Sequence, residues 1–247
     1  MPITVLLTGF GPFPGAPFNP TTALPGQLAA RRRPALADVT RIAHVFRTSY
    51  AAVERELPAL LERVRPDVVL LFGVAPRTKY LRIETRARNA RSLLFCDADG
   101  RRPGTSAIAP KEPTTRSGQA PHRILLAAVR AKRFPARLSP SAGRYLCNFI
   151  YWRALEATRG GRTPLVQFIH VPMVRRAPTR PASERRLTPA DLLRAGEAVL
   201  LAMITTARER QRQEVVPAAV SIELQPAQKR EPQQVVAGRR GQRVAQR

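Results

Sequence analysis

Leu165-Val-Gln-Phe-Ile-His-Val-Pro172 predicts one strand of an α/β sheet. It is an apolar run of strand length, and Pro172 ends it because proline cannot donate to a strand ladder. Asp67-Val-Val-Leu-Leu-Phe-Gly73 is a second strand-like run. His170 therefore lies at or near the end of a predicted strand, and strand ends in α/β sheets are where functional sites are built.

Strand-like and helix-like segments alternate on both sides of these runs. Strands are predicted over Ile3–Thr8, Val39–Val45, Val68–Phe72, Leu81–Ala87, Ala136–Leu138 and Pro164–His170, and helices over Thr21–Arg32, Ser49–Val64, Ala120–Lys132, Gly143–Thr158 and Pro189–Arg210. The alternation predicts an α/β fold, a three-layer α/β/α sandwich with a mixed, mostly parallel central sheet. The polar stretch from Asp97 to Gly118 is predicted to be a long loop.

Cys147 lies where a turn of small residues opens a predicted amphipathic helix. A thiolate is favoured there, because unpaired backbone N–H groups and the positive end of the helix dipole stabilise an anion. The alternative is that Cys147 is a small buried hydrophobic residue, as free cysteines often are. A cysteine nucleophile also needs a base and a group that orients the base. The chain has three histidines, of which we interpret His44 and His122 as structural or surface residues and His170 as the candidate base.

Glu84 is the candidate third member of such a site. It lies in Tyr80-Leu-Arg-Ile-Glu-Thr-Arg-Ala-Arg-Asn89, whose first half alternates between apolar and polar residues. Arginines flank it at positions 82, 86 and 88. A surface ion pair of small energetic value is therefore the alternative interpretation of this carboxylate.

Four segments of the sequence form one pattern: Thr8-Gly-Phe-Gly-Pro-Phe13 with Asn19-Pro20 following, the run around Glu84 with Asn89 five residues later, Gly143 through Asn148, and Phe168-Ile-His-Val-Pro172. Read together, they resemble the motifs of one family, the pyroglutamyl peptidases of type I, also called pyrrolidone-carboxylate peptidases, in the family's order and at similar separations. The resemblance spans roughly residues 3 to 207.

The resemblance implies a cysteine peptidase that removes an N-terminal pyroglutamyl residue from peptides. Cys147 would be its nucleophile, His170 its general base and acid, and Glu84 the group that orients the imidazole. The implied substrate-binding residues are Phe10, Phe13, Val74 and Asn19. No cofactor and no metal are implied, and related enzymes often assemble as dimers or tetramers.

Three segments depart from the family's pattern. Phe72-Gly-Val-Ala-Pro-Arg77 places Pro76 and Arg77 where the family usually has small and polar residues. An arginine that the family carries beyond the glutamate has no clear equivalent here, although Arg88 and Arg91 are candidates. A basic, proline-rich loop, residues 173–181, follows the histidine motif. These departures make a changed specificity, or a loss of peptidase activity, the second hypothesis.

Composition sets the domain organisation and the compartment. We predict a catalytic domain over residues 1–210 and a basic, Gln- and Arg-rich, disordered tail over residues 211–247, in which Val215–Leu224 forms a short strand. Two cysteines far apart make no disulfide framework, and no apolar run approaches the ~18 to 20 residues of a membrane span. We therefore expect a cytoplasmic protein without a membrane partner.

The net charge of +25 supports a third hypothesis, nucleic-acid binding through phosphate contacts. Against it, the arginines are spread along the whole chain, and only one tryptophan and four tyrosines are available for stacking on bases. We therefore expect only non-specific binding to polyanions.

Overall fold

The computed structural model of the chain describes residues 2–13, 15–157, 164–174 and 186–220, with side chains as far as residue 214. The strands are β1 (Ile3–Phe10), β2 (Val39–Phe46), β3 (Val68–Val74), β4 (Leu81–Glu84), β5 (Ala87–Arg88), β6 (Thr115–Arg116), β7 (Ala136–Ser139) and β8 (Leu165–Val171). The helices are α1 (Leu24–Ala29), α2 (Tyr50–Val64), α3 (His122–Ala131), α4 (Leu146–Glu156) and α5 (Pro189–Val220), and a 3-10 turn covers Pro34–Leu36.

Six of these strands form one sheet in the order β2-β1-β3-β8-β4-β7. The strands pair in parallel except β4 and β8, which are antiparallel. The two central strands β3 and β8 are buried along their full length, as expected for parallel strands that are covered on both faces. Strands β5 and β6 form a separate two-stranded ribbon.

Two apolar clusters lie on opposite faces of the sheet. One joins residues of α1, α3 and α5 to side chains such as Val5, Leu70 and Ile169. The other joins α2 and α4 to side chains such as Leu6, Leu71 and Phe168. The predicted three-layer α/β/α sandwich with a mixed, mostly parallel sheet is thus confirmed.

Several predicted elements are shorter in the structure, among them α1 and β4. The helix predicted from Thr21 begins only at Leu24, because the Thr21 hydroxyl bonds to Asn19 Oδ1 and its backbone N–H donates to the same oxygen, which holds a turn. The strand predicted over Leu81–Ala87 ends at Glu84, and the chain then starts the separate ribbon at Ala87. Both boundaries are set by contacts with residues elsewhere in the chain.

The C-terminal helix is longer than predicted. Helix α5 runs to Val220, so the short strand predicted over Val215–Leu224 is wrong for residues 215–220. The preceding segment, residues 207–214, is rich in strong helix formers, and each further helical residue adds one backbone hydrogen bond. The chain divides into two units, Met1–Gln211 and Arg212–Arg247. The predicted tail lies outside the described residues beyond position 220, and the domain limits stay a prediction.

Candidate active site

A cavity of about 200 Å³ opens where the carboxyl ends of β1, β3 and β8 meet the start of α4. Cys147 and His170 both line it. All four predicted substrate-binding residues line it too: Phe10, Phe13, Asn19 and Val74. The structure therefore brings six of the seven predicted site residues to one cavity, and Glu84 lies directly behind His170.

Glu84 holds the imidazole of His170. Nδ1 of His170 donates to Oε1 of Glu84 at 2.7 Å, and the Glu84 side chain is fully buried. The Glu84 carbonyl oxygen accepts hydrogen bonds from the Tyr151 hydroxyl at 3.1 Å and from Nε2 of Gln167 at 2.9 Å. These bonds fix the backbone of Glu84, and the Glu84 carboxylate in turn fixes the orientation of the imidazole ring.

The imidazole interacts with Cys147 on its other side. Burial by itself would lower the pKa of His170, but attraction to the Cys147 sulfur, a hydrogen bond to it, and the Glu84 carboxylate together raise this pKa to about 9. Because Nδ1–H is committed to Glu84, Nε2 is the nitrogen that faces the sulfur. A protonated imidazole beside the sulfur stabilises the thiolate, which is the nucleophilic form.

Cys147 is the second residue of α4. Tyr145 caps this helix without a side-chain hydrogen bond. The first N–H groups of a helix have no acceptor within the helix, so those of Leu146 and Cys147, which both line the cavity, are potential donors. The turn before the helix contributes Ala142, Gly143 and Arg144 to the same wall.

Gly73 is a site residue that the sequence analysis missed. It is the register partner of His170 in the pairing of β3 with β8. A Cβ atom at this position would lie 2.7 Å from both Sγ of Cys147 and Cζ of Phe168. A glycine inside a fully buried strand signals such a close approach, and that signal was present in the sequence.

Substitution of Gly73 by alanine is expected to displace the Cys147 sulfur and to destabilise the fold by about 1–3 kcal/mol, because the added methyl overpacks the site. Thermal unfolding and the alkylation rate of Cys147 would measure the two effects. Gly26→Ala is the matched control, since nothing lies within 4 Å of a Cβ there and alanine favours the helix by about 1 kcal/mol. Equal behaviour of the two variants would contradict the assignment of Gly73.

Two asparagines hold the frame of the site. Asn148 is fully buried, accepts from the Arg88 N–H at 2.8 Å and donates to the carbonyls of Arg88 and Ala90, so it ties the first turn of α4 to the chain that follows Glu84. Asn19 donates to the Gly11 carbonyl at 3.1 Å and accepts from Thr21, so its amide holds the loop that carries Phe13.

Asn89, the other two histidines and the other cysteine are not among the residues that line the cavity. Asn89 Oδ1 accepts from the N–H groups of Ile108 and Ala109, so this side chain holds the long loop and not the imidazole. His44 pairs with Glu56 at 3.0 Å. His122 is half-buried, and burial lowers its pKa. Cys96 is an exposed free cysteine.

The residues that depart from the family pattern lie at different distances from the cavity. Pro76 lines the cavity, whereas Arg77 lines a neighbouring depression of about 110 Å³. Arg91 donates to Thr105 and to the Ala107 carbonyl, and its guanidinium lies 5.8 Å from the centre of the Phe149 ring. Arg88 is exposed. Residues 175–181 of the basic loop lie outside the described residues.

Within the described ranges, no three His, Cys, Asp or Glu side chains are grouped so that they could hold a metal ion. The described helices include none that is both long and apolar enough to cross a membrane. A thiol at a helix start, an imidazole at a strand end and a buried carboxylate, assembled on an α/β sheet beside a cavity, define a cysteine hydrolase.

Comparison with known proteins identifies the family. Residues 3–207 match the family described as pyroglutamyl peptidase, so the chain belongs to that family. It is similar to the pyrrolidone-carboxylate peptidases of Pyrococcus furiosus (31% identity; 69% of this chain and 81% of that protein) and Gloeobacter violaceus (32% identity; 79% and 94%). The solved pyrrolidone carboxyl peptidase of Thermococcus litoralis superposes with a TM-score of 0.75 at 25% identity, covering 84% of this chain and 96% of that one. The family resemblance of the sequence motifs is thus confirmed.

Proposed function

We propose that this protein is a cysteine exopeptidase that removes an N-terminal pyroglutamyl residue from peptides. The observation that carries the proposal is the hydrogen bond of His170 to a fully buried Glu84, at the back of a cavity that also contains Cys147. Membership of the pyroglutamyl peptidase family supports the same reaction.

In the proposed mechanism, the Cys147 thiolate attacks the carbonyl carbon of the pyroglutamyl residue and a C–S bond forms. The protonated His170 then gives its Nε2 proton to the leaving amine, the C–N bond breaks, and the shortened peptide departs. Water, deprotonated by His170, next attacks the thioester and releases pyroglutamate. Glu84 keeps the ring in one tautomer throughout. Backbone N–H groups at the start of α4, including that of Cys147, would bind the oxyanion.

The walls of the cavity suit the pyrrolidone ring. This five-membered lactam is flat and mostly apolar, with one N–H and one C=O. Phe10, Phe13 and Val74 supply apolar surface, and Asn19 keeps the loop of Phe13 in place. The ring needs only a few polar partners, which backbone groups along the cavity can provide.

Release of a fluorescent amine from a pyroglutamyl derivative, compared with the matching prolyl and glutamyl derivatives, tests this function. We expect turnover of the pyroglutamyl derivative alone. Preference for another amide would favour the second hypothesis, an altered specificity, for which the position of Pro76 in the cavity wall is the supporting observation. Absence of turnover on all three would mean that peptidase activity is lost.

The raised pKa of His170 sets an expected pH dependence. Since the protonated imidazole donates to the leaving amine, kcat/KM should fall as the pH rises through about 9. The same group stabilises the fold fully below its unfolded pKa of about 6.5. That stabilisation is lost as the pH rises through the folded pKa of about 9. A pH profile of kcat/KM and thermal unfolding at the same pH values measure the two effects. A fall of kcat/KM that begins below neutral pH would contradict the pairing of protonated His170 with the Cys147 thiolate.

The basic charge is expected to give only non-specific attraction to polyanions. The predicted tail, residues 211–247, carries seven Lys and Arg against three Glu, a net +4 of the chain's +25. Deletion of these residues should therefore leave kcat within a few-fold and weaken retention on a polyanion column only in part. Loss of activity would mean that the tail completes the catalytic unit. Tight, salt-resistant binding to one nucleic-acid sequence would revive the third hypothesis.

We also propose that the protein is a homo-oligomer, a dimer or tetramer, in the cytoplasm. Leu93, Leu94 and Phe95 form an apolar segment with 45%, 76% and 62% of their surface exposed, which supports a subunit contact. Both cysteines are free, which supports a reducing compartment. Light scattering after size-exclusion chromatography measures the oligomeric state, and a monomer at micromolar concentration would contradict the first part.

A further inference from the structure

Arg82 contacts the Glu84 carboxylate that orients His170. The two residues are two positions apart on β4 and therefore face the same side of the strand. Nε of Arg82 lies 3.0 Å from Oε1 of Glu84, the oxygen that also accepts from His170. Arg82 is also the register partner of His170 in the antiparallel pairing of β4 with β8.

The same guanidinium reaches the turn that precedes the nucleophile. Nη2 of Arg82 donates to the Ser141 carbonyl at 2.6 Å and to Oγ of Ser139 at 2.6 Å. Ser141 begins the turn whose next residues, Ala142 and Gly143, line the cavity. One planar side chain thus joins the buried carboxylate to the wall that leads into α4.

Glu84 has a physical need for this partner. The carboxylate is fully buried, and its second oxygen, Oε2, has no hydrogen-bond partner among the described residues. A buried charge is costly unless it is paired. If His170 gave up its proton, Arg82 would remain as the cation beside Glu84, so the carboxylate stays ionised through both proton transfers of the cycle.

We propose that Arg82 is a positioning residue of the peptidase site, which keeps Glu84 ionised and holds the Ser141 turn in register with it. The proposal rests on the proposed function. Arg82 itself contacts no reacting atom, so it acts through Glu84 and through the turn. The sequence allowed two interpretations of Glu84: a residue that orients the histidine, or an ion-pair partner of arginines. In this proposal Glu84 is both.

The groups that titrate near this cluster limit the interpretation of a pH profile. Besides Arg82, the described ionisable groups of this cluster include Glu84 on β4, His170 on β8, and Cys147 and Tyr151 on α4. Tyr145 at the cap of α4 and Tyr50 on α2 interact with Cys147. Burial raises the pKa of Tyr145 to about 12 and raises the pKa of Tyr50 and Tyr151 as well. The tyrosines therefore stay neutral in the working range and do not contribute to the acid limb of the profile.

Arg82→Met tests the proposal, because methionine keeps much of the length and removes the charge and the donors. Arg82→Met removes the cation that lies 3.0 Å from Glu84, so the carboxylate becomes easier to protonate. A protonated Glu84 no longer supports the imidazolium that stabilises the thiolate, so the acid limb of kcat/KM should move up by about one pH unit. Loosening of the turn should lower kcat by about 10²-fold, with KM nearly unchanged. Arg82→Lys keeps the charge but cannot span both partners, so it should keep the acid limb in place and still lose part of kcat.

Arg86→Met is the matched control. Arg86 flanks Glu84 on the other side, is exposed, and donates to the neighbouring Pro140 carbonyl at 3.0 Å. It should leave kcat and both limbs of the profile unchanged. An unchanged acid limb in Arg82→Met, or an equal shift in Arg86→Met, would overturn the proposal. If Arg82→Met does not fold, as judged by circular dichroism, Arg82→Lys still tests the proposal. A loss of kcat with an unchanged acid limb is the expected result for that variant.

A second readout does not depend on peptidase activity. In a Cys96→Ser background, the rate of iodoacetamide alkylation is measured against pH and reports the thiolate of Cys147 alone. We expect its acid limb to shift upward in Arg82→Met and not in Arg86→Met. If wild-type protein fails to hydrolyse pyroglutamyl derivatives but this shift is observed, the proposed function is wrong and the role of Arg82 stands. If hydrolysis is observed without the shift, the role of Arg82 is wrong.

Discussion

Replacement of Cys147 by alanine is expected to abolish release of the amine from a pyroglutamyl derivative, with a loss of at least about 10⁴-fold in kcat. The thiolate forms the covalent bond of the acyl-enzyme, and none of the other described residues that line the cavity carries a thiol. The fold should persist, because the sulfur lies at the cavity wall and alanine is a good helix former at the second position of α4. Steady-state kinetics and thermal unfolding measure the two outcomes.

Cys96 provides the matched control for this variant. It is exposed, and its sulfur accepts a hydrogen bond from Nε of Arg102 at 3.2 Å, away from His170. Cys96→Ser should therefore be nearly silent. At neutral pH, iodoacetamide should modify Cys147 first, as followed by mass spectrometry of the peptides. Full activity of Cys147→Ala, or preferential alkylation of Cys96, would contradict the assignment of Cys147 as the nucleophile.

Local signals in the sequence were sufficient for the layers of the fold. The central strands and α4 are predicted because hydrophobic runs of strand length and a helical repeat depend only on neighbouring residues. The boundaries of α1 and β4 depend on contacts that local patterns do not contain. Thr21 leaves the helix because Asn19 and the end of β1 compete for its hydrogen bonds. The end of β4 is followed by a ribbon whose second strand is 27 residues further on, at Thr115.

The site depends even more on long-range contacts. His170 and Glu84 are 86 positions apart, and no periodicity reveals that they meet, so their pairing entered the sequence analysis only through a family resemblance. Gly73 ends a strand-like run, but the sequence does not show which side chain approaches it; the pairing of β3 with β8 and the start of α4 bring Sγ of Cys147 there. Arg82 was visible two residues before Glu84, but its contact with Ser141 requires β7 to lie beside β4, which only the sheet order provides.

The coupling of Glu84 to His170 leads to the second large expected effect. Glu84→Gln keeps the shape of the side chain, but an amide cannot stabilise the imidazolium and can present a donor to Nδ1, which favours the wrong tautomer. We expect kcat to fall by about 10²–10⁴-fold with a modest change in KM. His170→Ala should cost at least as much, because it removes the group that both stabilises the thiolate and protonates the leaving amine.

The double variant Glu84→Gln/His170→Ala tests whether the two residues act together or independently. Once His170 is absent, the orientation that Glu84 provides has nothing to act on, so Glu84→Gln should add little to the loss already caused by His170→Ala. Kinetic constants for the two single variants and the double variant give the coupling directly. Additive losses would show that Glu84 serves only as the ion-pair partner of Arg82. Because Nδ1 of His170 and Nε of Arg82 share one oxygen of Glu84, a strong coupling is the outcome that the 2.7 Å and 3.0 Å contacts favour.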